Sequence, residues 1–498
     1  MNYLSYVSLA IYFLAMLAIG LFAYRQSTSD VSGYILGGRQ VSPQVTALSA
    51  GASDMSGWML MGLPGAMFLV GFETIYIAVG LLLGALINYL IVAPKLRVYT
   101  EVADNALTIP EFFAKRFHDP SGNVRIIAAV IIVIFFTLYT SAGLVAGGKL
   151  FESAFEVHYE LGLIVTLGVV VSYTLLGGFL AVSLTDFVQG CIMFVALILV
   201  PVVAYQEFTS ADKMMDFAYQ SIPHFGEAMQ NVTLLGLISS LSWGLGYFGQ
   251  PHIIVRFMAI RSVGDIKTAK NIGMSWMTVT IIGALATGLV GIAYANKFDM
   301  KLSDPETIFI VFSELLFHPM ISGFLLAAIL AAIMSTISSQ LLVSSSSLTE
   351  DIYRVISKKE ATEKEMVKMG RYGVAGVAFV ASLLALDRSN SILSLVSNAW
   401  AGFGAAFGPL VLFSLYKKNL THKAAIAGIV SGAAMVLFWI YAPVLADGKA
   451  LTTVIYEMIP GFLVSSLVLW VVSALDTDPC KDTVKTFNKA GRVLAEQK

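Results

Sequence analysis

The chain has 498 residues, of which 57% are hydrophobic and 13% charged, and its formal net charge is -1. Soluble domains carry about 25% charged and 45–50% apolar residues, so this composition excludes a water-soluble fold and requires lipid to cover the surface. The balanced charge gives no indication of a nucleic-acid partner. We therefore predict an all-α integral membrane protein, because backbone polar groups in lipid need the internal hydrogen bonds of helices.

The apolar stretches predict thirteen transmembrane helices, each of roughly 20 residues. In chain order they lie at 4–24, 45–71, 72–94, 124–148, 161–181, 186–206, 232–251, 275–296, 319–343, 371–387, 390–416, 421–442 and 455–475. The cut between the second and third spans, at Gly71, could be placed differently. The loops at 207–231 and 297–318 are long enough for short external helices. Residues 1–475 form a single domain, followed by a charged tail, 476–498, that is mobile or lies on the surface.

The basic residues orient these spans. With the N-terminus outside, 25 of the 31 Lys and Arg residues fall on the inner side. The six on the outer side are Lys149, Lys213, Lys297, Lys301, Arg388 and Lys449. Because positive residues accumulate on the cytoplasmic side, the sequence predicts an external N-terminus, an odd number of spans and a cytoplasmic C-terminus.

The second span contains a buried carboxylate. Asp54 is the only charged residue between Val45 and Gly71, and a charge at that depth costs roughly 2.5–3.5 kcal/mol unless it is compensated. Four weak helix formers surround it: Gly51, Ser53, Ser56 and Gly57. This pattern predicts a helix broken at mid-membrane, whose freed carbonyls suit a hard cation such as Na⁺. The alternative is an ordinary helix in which Asp54 bonds a neighbouring hydroxyl.

The end of the seventh span is rich in glycine and aromatic residues. Residues 242–251 contain three glycines, Trp243, Tyr247 and Pro251. We predict a second unwound helix here, with aromatic rings that wall a small solute. The alternative is that Trp and Tyr serve as interfacial anchors at the end of a span.

The ninth span carries a polar face. Ala332, Ser335 and Thr336 stand at i, i+3 and i+4, so they share one side of a helix. Two hydroxyls and a carbonyl partly freed by hydroxyl competition would form an uncharged oxygen cage for Na⁺. Ser and Thr also join membrane helices, so a packing seam is the alternative.

The order of the helices indicates an internal repeat. The two interrupted spans are each the first of a set of five, spans 2–6 and 7–11, which predicts inverted repeats over 45–206 and 232–416 with a midplane site between them. Span 4–24 then precedes the repeats, and two helices over 421–475 follow them.

Two glycine pairs and two charged residues are weaker features of the sequence. Gly80 and Gly84, like Gly404 and Gly408, fit GxxxG and predict close helix packing. We place Asp186 at a cytoplasmic edge, where it gates or caps a helix. Arg39 lies at the inner mouth of the second span, where it steers or gates ions or only sets topology.

Three segments resemble the sodium/solute symporter family: 52–58 (Ala-Ser-Asp-Met-Ser-Gly-Trp), 172–190 with its Gly-Gly-Phe signature, and 334–336 (Met-Ser-Thr). The likeness runs from the N-terminus to about residue 475. Four residues narrow it to the branch of the family that carries proline: Trp58, Trp243, Tyr247 and Pro251.

This resemblance implies a LeuT-like fold with a 5+5 inverted repeat, and a secondary active transporter that imports L-proline with Na⁺ by alternating access. It implies a multi-pass protein of the bacterial cytoplasmic (inner) membrane that functions as a monomer, is not an enzyme and binds no transition metal. The implied sodium ligands are the carbonyls of Ala52, Met55 and Ala332 and the hydroxyls of Ser335 and Thr336. Positions tied to sodium and proline binding are Asp54, Ser56 and Gly57. Substrate-lining positions are Trp58, Tyr139, Trp243, Tyr247 and Pro251, and ion-access or gating positions are Arg39 and Asp186.

Three alternatives remain open. A sodium symporter of the same family could carry another solute, such as pantothenate, another amino acid or a small carboxylate. An anionic solute would need a buried Arg or Lys among the core helices, and the sequence indicates none. A passive channel would need polar residues along several spans. A membrane enzyme or sensor would need paired catalytic residues, metal ligands or a signalling domain, and the six histidines have no ligand spacing.

Overall fold

The computed structural model describes residues 3–26, 31–221, 232–357, 362–387, 391–445, 448–476 and 480–497. Within these residues all regular structure is helical, apart from one isolated bridge between Val41 and Ile260. The predicted all-α class is confirmed.

The first half of the chain contains α1 (Tyr3–Gln26), α2 (Val31–Leu36), α3 (Pro43–Asp54), α4 (Leu63–Val70), α5 (Thr74–Ile87), α6 (Ala93–Val102), α7 (Ile109–Phe117), α8 (Asn123–Phe155), α9 (Tyr159–Tyr205) and α10 (Ala211–Ser221). The second half contains α11 (Leu234–Leu241), α12 (Pro251–Ala259), α13 (Asp265–Lys297), α14 (Ile308–Leu315), α15 (Pro319–Ser346), α16 (Arg354–Ser357), α17 (Glu363–Leu384), α18 (Ile392–Tyr416), α19 (His422–Tyr441), α20 (Met458–Leu475) and α21 (Lys481–Glu496). Wider π turns span Trp58–Gly62, Asn88–Val92 and Ser347–Tyr353, and a 3-10 segment spans Ser242–Phe248.

Ten helices, counted over the described part of the chain, are long and apolar enough to cross a membrane. The protein is therefore a multi-pass membrane protein. One of the ten stretches, Trp58–Val102, is divided at Gly71, whose φ of 68° and ψ of -140° end α4. The cut predicted at Gly71 is confirmed. The short helices α10 and α14 lie in the two loops expected to hold them, although 222–231 fall outside the described residues.

The boundary between the fifth and sixth spans was predicted wrongly. The break in α9 lies at Gly178 (φ 57°, ψ -148°), which separates the apolar helices Tyr159–Leu175 and Gly178–Tyr205. A Cβ at Gly178 would meet the Tyr34 carbonyl oxygen at 2.7 Å, so glycine is required there. Hydropathy does not mark this break, because apolar residues continue on both sides of it.

Both interrupted helices are broken. In the first, α3 begins at the N-cap Ser42 with Pro43 in its first turn, and ends at Met55, whose ψ of 79° leaves the helical region. In the second, the backbone is extended at Gln250 (ψ 106°), and Pro251 begins α12. The seventh span, predicted to end at 251, therefore continues to Ala259. The error arose because proline ends one helix but is also favoured in the first turn of the next.

The broken helices pack side by side around α15. The chain enters α3 at the end of the bundle where α12 finishes, because the Val41 N–H donates to Ala259 O and the Arg261 N–H donates to Val41 O. α15 contacts α1, α3, α8, α9 and α17 and is buried along most of its length. We call the end of the bundle with α7 and α21 the α7 end, and the opposite one the α14 end.

Glycines bring the second broken helix into backbone contact with its neighbours. A Cβ on Gly84 would lie 2.2 Å from Gly244 O, and one on Gly249 would lie 2.4 Å from Phe403 O and 2.6 Å from Gly408 N. Both GxxxG motifs therefore pack against residues 242–249, which confirms the close helix packing predicted from these motifs.

Substituting Gly84 by Ala is expected to destabilise the protein by about 1–3 kcal/mol, because the obstructing atoms belong to a backbone that must move. Thermal unfolding in detergent measures this. Gly168→Ala is the matched control, since a Cβ there meets nothing within 4 Å. It is expected to be neutral or slightly stabilising. Equal melting temperatures for the two variants would show that the packing at Gly84 can yield.

Candidate cation and substrate site

The break after α3 releases the carbonyl of Ala52. In a continuous helix this oxygen would accept from the Ser56 N–H, four residues on. Here the Ser56 N–H donates to Asp54 O at 3.0 Å. Ala52 O accepts instead from the hydroxyl of Ser335 at 2.7 Å and, more weakly, that of Thr336 at 3.5 Å. The broken helix is thus joined to α15 through an oxygen that its own backbone no longer uses.

The two hydroxyls also reach the Ala332 carbonyl. Ser335 Oγ and Thr336 Oγ1 lie 3.1 and 3.2 Å from that oxygen, and both side chains are at most 2% exposed. Four of the five oxygens expected to bind sodium therefore form one cluster, and no charged side chain of the described residues is bonded to it. Met55, the residue expected to supply the fifth, is fully buried at the break. Neutral oxygens of this kind suit a hard cation.

Asp54 does not bond to this cluster. Its carboxylate accepts from the Tyr247 hydroxyl, which joins the first broken helix to the second. Its other oxygen, Oδ1, has no hydrogen-bond partner in the described part of the protein. The residue is 1% exposed, so the carboxylate is buried with one hydroxyl bonded to it. The sequence pointed to Asp54, but the structure bonds its carboxylate to Tyr247 and not to the oxygen cluster.

Aromatic side chains enclose the backbone of Asp54. The Trp58 indole N–H donates to Asp54 O at 3.0 Å, and the Tyr139 hydroxyl lies 3.5 Å from the same oxygen. The backbone N–H of Trp58 donates to Ser56 Oγ, with 3.5 Å between nitrogen and oxygen. A Cβ on Gly57 would meet Ala146 at 2.8 Å, so this glycine allows close approach to α8. These predicted substrate positions therefore surround a single break.

Two other predicted substrate positions lie apart from this group. Trp243 stacks on Tyr456, with ring centroids 5.3 Å apart, and Pro251 lines a separate cavity toward α7. The sequence did not single out Trp400, which contacts Trp243 and Gln250, the residue before Pro251. Its indole N–H donates to Trp243 O at 2.8 Å, its carbonyl accepts from the Gln250 side chain at 3.0 Å, and its ring meets Tyr247 edge-on. Its signal in the sequence is a lone Trp among small residues.

A cavity of about 30 Å³ borders Asp54 and Tyr247, between α3, α5, α12 and α13. This is room for about one water molecule. Asn88, on the π turn after α5, lines it with Asp54 and Tyr247. Neither amide atom of Asn88 has a partner among the described residues, and the side chain is 1% exposed. Isolated π turns frequently occur at functional sites. Nothing in the sequence alone marked Asn88 as such a residue.

Asp186 is buried, which corrects its predicted place at a cytoplasmic edge. It is fully inaccessible and pairs with Arg256 at 3.2 Å. Ser49 donates to the same carboxylate oxygen at 2.7 Å, and Arg256 also donates to Ser49 and Ser339. The network joins α3, α9, α12 and α15 about one helical turn from the oxygen cluster.

The same pair corrects the expectation that no basic residue lies among the core helices. Arg256 was assigned to a loop because the seventh span was ended too early. It is 1% exposed, and its charge is balanced by Asp186. A buried cation is therefore present, but it already has an anionic partner.

Arg39 fastens the α7 end of the bundle. It is buried beyond α2 and donates to Met258 O at 2.6 Å, Ala106 O at 2.7 Å and the Asn105 side chain at 2.8 Å. Burial lowers the pKa of Arg39 to about 10, which leaves it charged at neutral pH. The contact with Met258 holds the end of the second broken helix in place.

Glu306 fastens the α14 end. Its carboxylate accepts from the N–H groups of Ile392 and Leu393 at the start of α18, and it pairs with Lys149 at 2.8 Å. A carboxylate is favourable at a helix N-terminus, where N–H groups lack partners. Arg39 and Glu306 therefore each join separate segments of the chain, one at the α7 end and one at the α14 end.

Comparison with known proteins yields one family and several relatives. Residues 34–432 match the model of the sodium:solute symporter family. The osmoregulated proline transporter OpuE of Bacillus subtilis is 54% identical over 492 residues, which cover 99% of both chains. A sodium/proline symporter of Staphylococcus aureus is 51% identical over 500 residues, covering 100% of this chain and 97% of that one.

Solved structures share the fold at low sequence identity. A Na⁺-coupled sialic acid symporter in a substrate-bound outward-open state matches with a TM-score of 0.79 and 18% identity, covering 95% of this chain and 98% of that chain. Mhp1, a nucleobase-cation-symport-1 family transporter, matches with a TM-score of 0.55 and 14% identity, over 91% and 98%.

Proposed function

This chain belongs to the sodium:solute symporter family, and from that premise we propose that it imports L-proline together with Na⁺ by alternating access. Two relatives above 50% identity over nearly the whole chain are named for proline. The observation that carries the coupling is the Ala52 carbonyl, released at the break and held by Ser335 and Thr336.

The proposed sodium site uses the carbonyls of Ala52, Met55 and Ala332 and the hydroxyls of Ser335 and Thr336. The hydroxyls now donate to the carbonyls, and they would turn their lone pairs toward an entering ion. Asp54 contributes charge from beside the cluster, because a buried carboxylate attracts a cation even without direct contact.

The proposed proline pocket lies at the same break. The amino acid is a zwitterion with an apolar ring, so it needs backbone polar groups and aromatic surface together. Backbone at Ser56 and Gly57 would supply the first, and the rings of Trp58, Tyr139 and Tyr247 the second. Trp243 and Pro251 are assigned to the margins, since their present contacts lie elsewhere.

Coupling follows from the shared helix. Na⁺ entering first would bridge α3 to α15 and order the break, so the proline pocket forms only afterwards. By thermodynamic linkage proline must then strengthen sodium binding by the same factor. One Na⁺ with a neutral zwitterion moves one charge, which supplies about 2.3 kcal/mol per 100 mV of membrane potential.

Alternating access needs contacts that open in turn. We assign Arg39 to the inner closure, because it ties α12 to the loop before α7. We assign Asp186 to ion access, because its network with Arg256 lies between that closure and the oxygen cluster. Glu306 is assigned to the outer closure.

The finer topology is part of the proposal. We infer thirteen spans, with one helix at 4–24, a 5+5 inverted repeat of the LeuT type over 45–206 and 232–416, and two helices over 421–475. The N-terminus is placed outside and the tail, 476–498, in the cytoplasm, following the distribution of Lys and Arg. We further propose that the monomer suffices and that the membrane is the bacterial cytoplasmic (inner) one.

The test is uptake of radiolabelled L-proline into proteoliposomes under an inward Na⁺ gradient, with K⁺ as the control cation. We expect proline to accumulate only with Na⁺. Sodium-driven uptake of another solute without proline uptake would support the coupling mechanism and contradict the assignment of proline as the substrate. Proline uptake that ignores Na⁺ would contradict the coupling.

Asn88→Leu is expected to raise thermal stability while slowing transport. Leucine removes an amide that has no partner in the described structure, and such an amide costs about 1–3 kcal/mol. It also fills the cavity that Asp54 faces. Melting temperature and initial uptake rate are measured on the same preparation.

Asn296→Leu is the matched control for Asn88. Its amide donates to Phe217 O at 2.9 Å, so the substitution is expected to lower stability and leave uptake per folded protein unchanged. An Asn88→Leu variant that transports like the wild type would show that the unpartnered amide has no role in the cycle.

A further inference from the structure

The C-terminal helix α21 lies on the α7 end with two distinct faces. Its inner face packs against α6 and α7 through Thr483, Phe487, Ala490 and Leu494. Its outer face carries exposed basic residues at helical spacing: Lys481, Lys485, Lys489 and Arg492. A docked helix with this pattern suits the surface of an anionic membrane.

Beneath α21 lies a cavity of about 100 Å³. Its walls include Lys95 and Tyr99 from α6, Leu415 from α18, and Phe487 and Leu494 from α21. This volume equals roughly three water molecules. The space is therefore larger than the one beside Asp54, and its described lining residues come from α6, α18 and α21 rather than from the broken helices.

The polar groups around this cavity favour an anion. Tyr99 is 3% exposed, and its hydroxyl has no hydrogen-bond partner in the described structure. The Arg116 guanidinium lies 5.2 Å from the ring centres of both Tyr99 and Phe487, and its Nη1 is likewise without a partner among the described residues. Lys95 supplies a second positive charge at the wall, and no acidic side chain appears among the described residues that line it.

A row of exposed apolar side chains on the outside of the bundle ends beside Lys95, at the wall of this cavity. Leu83, Ile87 and Leu90 are 51%, 41% and 55% exposed and lie on one side of the helix that runs into α6. Tyr416, 49% exposed, follows beside Lys95, whose ammonium lies 3.4 Å from its ring centre. Exposed apolar residues on a membrane-spanning helix face acyl chains, and an interfacial Tyr and Lys mark the level of the headgroups.

We propose that this cavity binds the phosphate of one anionic phospholipid from the leaflet at the α7 end. The Tyr99 hydroxyl donates to a phosphate oxygen, and Lys95 and Arg116 balance its charge. One acyl chain lies along Leu83, Ile87 and Leu90. The apolar walls favour a lipid over free phosphate, and the bound lipid joins α21 to α6 and α18.

Native mass spectrometry of the full-length protein tests this without any transport measurement, so its outcome is independent of the proposed function. The protein is exchanged into detergent with dioleoylphosphatidylglycerol or dioleoylphosphatidylcholine. We expect one phosphatidylglycerol molecule to be retained, and phosphatidylcholine to be lost. Tyr99→Phe, which removes only the hydroxyl, should reduce retention about tenfold, as expected for a hydrogen bond to a charged group.

Lys95→Gln is the second variant, because an amide can still donate to Leu415 O, which Lys95 now contacts at 3.3 Å. It should also lose the lipid. Lys485→Gln, on the exposed face of α21, is the matched control and should retain it. Equal retention by the wild type, Tyr99→Phe and Lys95→Gln would overturn the proposal, as would displacement of the lipid by millimolar inorganic phosphate.

Discussion

Replacing Ser335 and Thr336 together by alanine is expected to raise the Na⁺ concentration for half-maximal proline uptake by about 100-fold. Each hydroxyl reaches the Ala52 carbonyl across the break, and both reach Ala332 O. Losing two of about five oxygen ligands at roughly 1–3 kcal/mol each accounts for this change. Because sodium and proline binding are linked, proline affinity at low Na⁺ should fall as well.

The control for this variant comes from the same helix and its π turn. Ser346 and Thr349 are buried but donate to carbonyls of their own turn, Leu342 O and Ser345 O. The double variant Ser346→Ala/Thr349→Ala removes the same groups and should leave the Na⁺ dependence within about twofold of the wild type. Should both double variants shift the Na⁺ dependence equally, the effect would belong to helix packing and the proposed sodium site would be wrong.

Asp186→Asn and Arg256→Gln are each expected to destabilise the protein by about 3–5 kcal/mol, because either change leaves a buried charge without its partner. The two residues are at most 1% exposed and 3.2 Å apart. Combining the substitutions removes both charges and should restore most of the lost stability. Unfolding by heat in detergent, followed by tryptophan fluorescence, gives the comparison.

Arg261 and Asp265, whose side chains are 52% and 18% exposed, provide a solvent-accessible ion pair for comparison, just beyond α12. The same two changes there should alter stability by less than about 1 kcal/mol, since water already solvates an exposed pair. A combined Asp186→Asn/Arg256→Gln protein no more stable than either single variant would contradict a simple charge pair. Uptake by the combined variant then separates folding from function, because a stable protein with altered Na⁺ dependence assigns Asp186 to ion access.

The first broken helix could be predicted because its causes are local. Asp54 carries a charge into an apolar span, and the glycines and serines beside it are weak helix formers. The structure breaks at Met55, next to this residue. The shared face of Ala332, Ser335 and Thr336 follows equally from helical spacing.

The buried ion pair could not be predicted, because it joins residues 70 positions apart. From its neighbours in the sequence, Asp186 was predicted to lie at the cytoplasmic edge of a helix. Arg256 was predicted to lie in a cytoplasmic loop, because the seventh span was ended at Pro251. The Asn88 cavity and the position of Trp400 were missed for a related reason. An amide or an indole has a defined role only when its neighbours are known.

The sequence by itself determined the membrane class, the helical architecture, the family and the places where two helices break, because apolar length and helix propensity act over a few residues. Only the tertiary structure decided which groups meet. It paired Asp186 with Arg256, placed the Tyr247 hydroxyl on Asp54, packed both glycine motifs on one 3-10 segment and laid α21 over a basic cavity. Such contacts join distant parts of the chain, and their energies depend on distances that appear only once the helices have packed.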